Sequence, residues 1–225
     1  MNLLAIDGAF SKASVVVISA PGTAGSGATI RAGALVPTQG GLASALLFHL
    51  EAVLTKAHLS TNTLTGIACG VGPGSFTGIR VAAATAQSLG QALNIPVVGF
   101  SSLEWLAQWS SQPGGAAAVW VDAQQNEVYH GYRNLESGVW VDELCADDNA
   151  DNDARNDARD NAGNGLPSAT PLDVFQGAAL ESIDAAIRLN IIEFLSKLPL
   201  TQSQKLAVNY LKLSAAQKKL AGLTP

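Results

Sequence analysis

Apolar residues recur along this chain in two rhythms: short contiguous runs, and longer stretches spaced by three and four. Leu3–Ile6 and Ser14–Ser19 are runs of the first kind, separated by Asp7-Gly8-Ala9-Phe10-Ser11-Lys12, and they predict two strands of a hairpin. After a Gly/Ser-rich stretch at 21–28, Thr29–Val36 predicts a third strand. From Leu42 to Leu59 the spacing becomes helical. Leu42, Leu46, Leu47, Leu50, Val53, Leu54 and Ala57 fall within an arc of roughly 140°, a core face. Ala45, Phe48, Ala52 and Leu59 form a second, narrower stripe on the other side, so this helix is expected to be covered twice, by its own domain or by a partner.

Leu64–Cys69 predicts a buried strand running through Gly70-Val71-Gly72-Pro73-Gly74-Ser75-Phe76-Thr77-Gly78 into a helix at about 79–93. That helix carries small side chains, Ala82, Ala83, Ala84, Ala86, Ser88, Gly90 and Ala92, which let a second helix approach closely. Val97–Phe100 predicts another strand, and Ser101 with Glu104 makes a capping box for a short helix. Ala116–Val121 and Glu127–Tyr132 predict a strand pair around Asp122, with Gly138–Glu143 as a third strand. Leu172–Leu198 is mostly helical in pattern.

Charge alters this picture in one place. The net charge is -5, and the window 147–165 alone, with six Asp and two Arg, contributes -4. Asp and Asn suit neither helix nor strand, so the window predicts a solvated loop; it lacks the ordered acidic spacing and terminal Glu of a calcium loop. The rest of the chain is nearly neutral and has no basic stripe for clamping nucleic acid unaided. Lys205, Lys212, Lys218 and Lys219 make a basic tail. The opening residues lack a basic signal-peptide region, and Gln87, Gln91, Asn94 and Pro96 interrupt the one long uncharged stretch, so a cytosolic protein without a membrane span is expected.

Few residues can carry chemistry. Asp7-Gly8 after a strand suits either a phosphate-side metal-water site or an ordinary tight turn. Gly72, Gly74 and Ser75 lie in a rigid, glycine-rich ledge that reads as an anion cradle, a docking surface or a simple strand-to-helix turn. The ledge is neither a Walker loop nor a dinucleotide fingerprint, because its glycines stand at 70, 72, 74 and 78 and no Lys-Ser or Lys-Thr follows. Asp122 reads as a strand-end turn residue before a second phosphate acid. His49, His58 and His130 form no metal pair by spacing, and Cys69 and Cys145 form neither a disulfide framework nor a zinc motif.

The run Gly70-Val71-Gly72-Pro73-Gly74-Ser75-Phe76-Thr77-Gly78-Ile79-Arg80 resembles the TsaB (YeaZ) family of tRNA threonylcarbamoyladenosine biosynthesis proteins. Leu3-Leu4-Ala5-Ile6-Asp7, Val121-Asp122-Ala123 with Glu127-Val128-Tyr129, and Tyr210-Leu211-Lys212 with Lys218-Lys219 agree with that family in order. The first 130 residues match well; beyond Glu143 only the tail does. The resemblance implies an α/β chain of two ribonuclease-H-like subdomains in the actin-like ATPase superfold, the second one reduced. Residues 1–100 make the first, 101–204 the smaller second with the acidic loop, and 205–225 a basic tail. It implies a non-catalytic activator that binds the TsaD transferase, works with the TsaE ATPase, meets tRNA only through the complex, and pairs with itself when alone. The docking surface falls at Ala45, Phe48, Ala52, Phe76, Arg80, Ala83, Ala84 and Gln87, with Arg80 facing either a partner carboxylate or solvent. No intrinsic cofactor is expected; ADP or ATP at the partner interface, against Asp7, Gly8, Gly72, Gly74 and Ser75 as a remnant nucleotide site, is the one implied. Gly8-Ala9 stands where the family has a hydroxyl residue, Leu42 where it has a histidine and Gln124 where it has an arginine, and a Gly-bearing strand is missing near the Asp/Asn run. The rival readings are an actin-like small-molecule kinase, a metallopeptidase and a stand-alone homodimeric binding protein.

Overall fold

The computed structural model describes residues 1–21, 27–37, 41–110, 113–123, 127–146, 185–200 and 206–209. The acidic window 147–165, the first part of the expected late helix and the basic tail lie outside these residues, apart from 206–209.

Strands β1 (Asn2–Asp7) and β2 (Lys12–Ser19) pair antiparallel, with Leu4 opposite Val17 and Asp7 opposite Ser14, and β3 (Thr29–Pro37) extends the meander. Helix α1 (Leu42–Lys56) follows, and then β4 (Gly66–Gly70), which runs parallel to β1. Helix α2 (Phe76–Leu93) leads to β5 (Val97–Phe100), parallel to β4. The sheet order β3-β2-β1-β4-β5, with β2 alone reversed, is the ribonuclease-H-like arrangement expected.

Both faces of this sheet are buried, which is why its strands read as unbroken apolar runs instead of alternating ones. Successive side chains alternate between faces. Leu4, Ile6, Val15, Val17, Ile67 and Cys69 meet α1 and α2 on one side. Leu3, Ala5, Val16, Ile18 and Ala68 meet Phe100, Trp105, Trp109 and helix α4 (Ala185–Ser196) on the other. Short helix α3 (Ser102–Ala107) begins where the sequence places its cap: Ser101 Oγ accepts the Glu104 amide at 3.1 Å. Beyond it, β6 (Ala118–Asp122), β7 (Glu127–Arg133) and β8 (Trp140–Ala146) form a separate antiparallel meander. Its inner face, Val119, Val121, Tyr129, Trp140 and Leu144, packs on Leu103 and Ala107 of α3.

Three expectations need correction. Helix α2 starts at Phe76, not Ile79, because Ser75 caps it: the Gly78 amide donates to Ser75 Oγ at 3.3 Å. Gly78 is therefore a helical residue and not part of the ledge. Leu47, on the edge of the expected core arc, is 55% exposed. Most of the small residues of α2 serve its own sheet. Ala82, Ala83, Ala86 and Gly90 are buried, and a methyl group on Gly90 would overlap Val97. They let α2 lie close on the strands, and only Ala84, Ser88 and Ala92 of the small stripe face outward.

Candidate functional site

Parallel pairing of β1 and β4 brings Asp7, at the end of one strand, against Gly70, at the end of the other; a side chain at Gly70 would collide with the carboxyl. Asp7 Oδ1 accepts the Ala9 amide at 2.9 Å and the Ser102 hydroxyl at 3.0 Å. Its Oδ2 is buried without a hydrogen-bond partner. Burial raises its pKa to about 6, against the lowering effect of the Ala9 amide, the Ser102 hydroxyl and the Gly8 amide. Ser102 Oγ also accepts the Gly72 amide at 3.1 Å, so one hydroxyl ties the carboxylate to the glycine-rich turn. Sequence reasoning passed over Ser102. Its neighbour Ser101 carried the capping signal, and only folding brings 102 to 7.

The glycines of this turn make room for the chain itself. Gly8 and Gly78 face one another backbone to backbone, and a side chain on either would strike the other's carbonyl. Gly72 (φ 99°) faces the Asn209 carbonyl, and Gly74 (φ 150°) faces Ala9. Three amides of the turn are spent in the same way: Ser75 N–H donates to the Ala9 carbonyl at 2.6 Å, Gly72 to Ser102 and Gly78 to Ser75. Residues 206–209 cross the turn, with the Asn209 amide on the Val71 carbonyl at 2.7 Å and Leu206 in the core. Asp142 of β8 also reaches residue 209. It accepts the Ser101 hydroxyl and the Trp140 indole N–H at 2.8 Å each, and the Asn209 side-chain amide at 3.4 Å. The space beside Gly8, Gly72 and Gly74 and the amides of Gly72 and Ser75 are thus used by the chain's own groups.

Helices α1 and α2 offer a different surface. Helix α1 ends at Lys56, short of the expected Leu59; of the second stripe, Ala45 on the helix and Leu59 beyond its end are half-buried against the core, while Ala52 is exposed and Phe48 is 69% exposed. Leu47 lies beside Phe48, so two large apolar side chains stand in water on one helix. On α2, Ala84 and Gln87 are exposed and Ala83 is buried in the core. Arg80 is exposed and lays its guanidinium over the half-buried Phe76 ring, 3.9 Å from the centroid, a cation–π contact. Burying a Phe or Leu is worth about 1.5–3 kcal/mol, so leaving both outside forfeits a stabilisation that a second protein would recover.

A third cluster lies on the outer face of the second sheet. His130 stands directly opposite Glu143, and Cys145 lies two residues further along β8 on the same side. One donor atom from each of the three lies within 4.8 Å of the others. Burial lowers the His130 pKa, against the Glu143 charge. Burial and then Glu143 raise that of Cys145. No spacing in the sequence announces this set, because its members come from two strands joined by a hairpin. Asp122 is exposed at the end of β6.

A family model described as TsaD, tRNA N6-adenosine threonylcarbamoyltransferase, matches residues 39–165. The tRNA threonylcarbamoyladenosine biosynthesis protein TsaB of Escherichia coli (strain K12) is 36% identical over 98 residues, 42% of each chain. The protein of the same description from Bacillus subtilis (strain 168) is 30% identical over 100 residues, 44% of this chain and 43% of its own. The chain therefore spans less than half the length of these curated relatives. A crystal structure of an uncharacterized Pseudomonas aeruginosa protein with similarity to peptidase YEAZ superposes with TM-score 0.53 at 30% identity, over 64% of this chain and 66% of that one. YeaZ from the same organism superposes with TM-score 0.52.

Proposed function

This chain belongs to the TsaB (YeaZ) family, and from that premise we propose that it is a non-catalytic subunit in the synthesis of threonylcarbamoyladenosine on tRNA, presenting α1 and α2 to the TsaD transferase. The observation that carries this reading is the exposure of Phe48 and Leu47 on a helix whose other face is fully packed. A large ring held in solvent, with small residues at Ala52 and Ala84 on the same outward layer, suits close helix-on-helix docking. Arg80, held over Phe76, gives the same layer one charged handle. TsaE and tRNA then join through the assembled complex in the cytosol, and two copies pair through the same face when no transferase is present.

The nucleotide part of the proposal follows from the closed turn. With the Gly72 and Ser75 amides engaged by Ser102 and Ala9, and Ala9 filling the space beside Gly74, this chain alone is not expected to turn over ATP. An adenine nucleotide at the subunit interface would rely on the partner's groups.

Co-purification of the two proteins tests the docking face. Burying an aromatic anchor is worth about 2 kcal/mol or more at an interface centre, equivalent to roughly thirtyfold in affinity. Phe48→Glu and Arg80→Glu are each expected to weaken binding, Phe48→Glu by at least that factor. Wild-type affinity in both variants, or brisk ATP hydrolysis by the isolated chain, overturns the proposal.

A further inference from the structure

The outer face of the second sheet carries a set of side chains that the docking reading does not use. We propose that His130, Glu143 and Cys145 bind a single zinc-class divalent cation. The strand register places His130 opposite Glu143, and Cys145 follows on the same side of β8, so an imidazole nitrogen, a carboxylate oxygen and a sulfur converge within 4.8 Å. Mixed nitrogen, oxygen and sulfur donors select a borderline-soft ion and disfavour calcium or magnesium, which take oxygen ligands. Zinc bonds of about 2.0–2.3 Å set tetrahedral ligands about 3.5 Å apart, so closing the site takes a shift of about 1 Å. Glu143, whose side chain is exposed, has room to supply it.

Neighbouring residues already hold the donors in place. The Trp120 ring stacks on His130 at 3.7 Å between centroids with planes 6° apart, fixing the imidazole. The Tyr132 hydroxyl donates to Glu143 Oε1 at 2.9 Å, leaving the second carboxylate oxygen for the metal. On binding, the Cys145 thiol loses its proton to solvent and the sulfur bonds the ion. The thiolate and the Glu143 carboxylate together balance the two positive charges, and three protein ligands leave one coordination position for water or for a group from another molecule.

Chelator-stripped full-length protein, kept reduced, is titrated with Zn(II) against a chromophoric competitor and separately with Co(II). The expected result is one equivalent of metal per chain, with affinity falling about tenfold or more in each of His130→Gln, Glu143→Gln and Cys145→Ser. The Co(II) form is expected to show a thiolate-to-cobalt charge-transfer band that Cys145→Ser abolishes and Cys69→Ala retains. Glu143→Gln, on an exposed side chain, keeps the test valid if a less exposed variant misfolds. Absence of saturable binding in the wild type, or wild-type affinity in any one of the three variants that folds, overturns the site. Neither result bears on transferase docking, which uses other elements.

Discussion

At the scale of single residues, Asp7 and Gly78 show how closely the β1 end is fitted to α2. Asp7 is ionised only against its burial, with a pKa of about 6 in the folded chain against 3.8 for the free group. The folded state therefore holds this proton more tightly than the unfolded state, so the contribution to stability is greatest below about pH 4 and falls as pH rises through about 6. The loss amounts to roughly 3 kcal/mol. Urea unfolding of Asp7→Asn across this range is expected to show a flatter pH dependence by about that amount; parallel curves for the two proteins would count against the buried ionisation. Gly78→Ala forces a methyl group into the Gly8 carbonyl and is expected to cost about 3 kcal/mol or more, since neither backbone can yield without moving a strand end or a helix start. Ala84→Ser, on the exposed side of α2, is expected to stay within about 0.5 kcal/mol. Equal thermal shifts for the two variants would contradict the contact.

Among the elements, α4 illustrates how one polar side chain can set the seating of an apolar helix. Ile187, Ile191 and Leu195 bury against the first sheet. Between them Asn190, buried, accepts the Gly114 amide and donates to the Ser110 carbonyl, each at 2.9 Å. Asn190→Ala is expected to cost about 1–3 kcal/mol, because it takes a hydrogen-bond partner from the buried Ser110 carbonyl. Leu189→Ala, 65% exposed on the same helix, is expected to change stability by less than about 0.5 kcal/mol. Equilibrium unfolding of the pair checks the contrast. The same comparison of inner and outer positions applies to α1. Leu46, fully buried, holds the helix to its sheet, while Phe48, two positions on, contributes little to the fold and is free to serve an interface.

For the molecule as a whole, hydrogen bonds through Ser102 tie Asp7 to the glycine-rich turn, and residues 206–209 join that turn to Asp142 of the second sheet. The proposed docking role joins this internally bonded turn to a helical layer that leaves Phe48 and Leu47 exposed. Sedimentation of the isolated protein checks this reading. Self-association is expected, and Phe48→Glu is expected to shift it toward monomer; a wild type that stays monomeric at high concentration would leave the bare face without a function of this kind.

The strands, the helices and the family likeness were legible in the sequence, because period, glycine placement and the Gly70–Arg80 run are local properties of the chain. Local pattern also located the Ser101 cap and the outward Phe48. What it could not supply was which glycines open toward a ligand and which toward the chain itself. A glycine reads identically whether its vacant side meets a phosphate or the Asn209 carbonyl, more than a hundred residues away. Ser102 beside Asp7, Asn209 beside Gly72, and His130 opposite Glu143 depend on strand pairing and on the packing of α3. These relations exist only once the hydrophobic layers have closed, so the tertiary structure alone decided them.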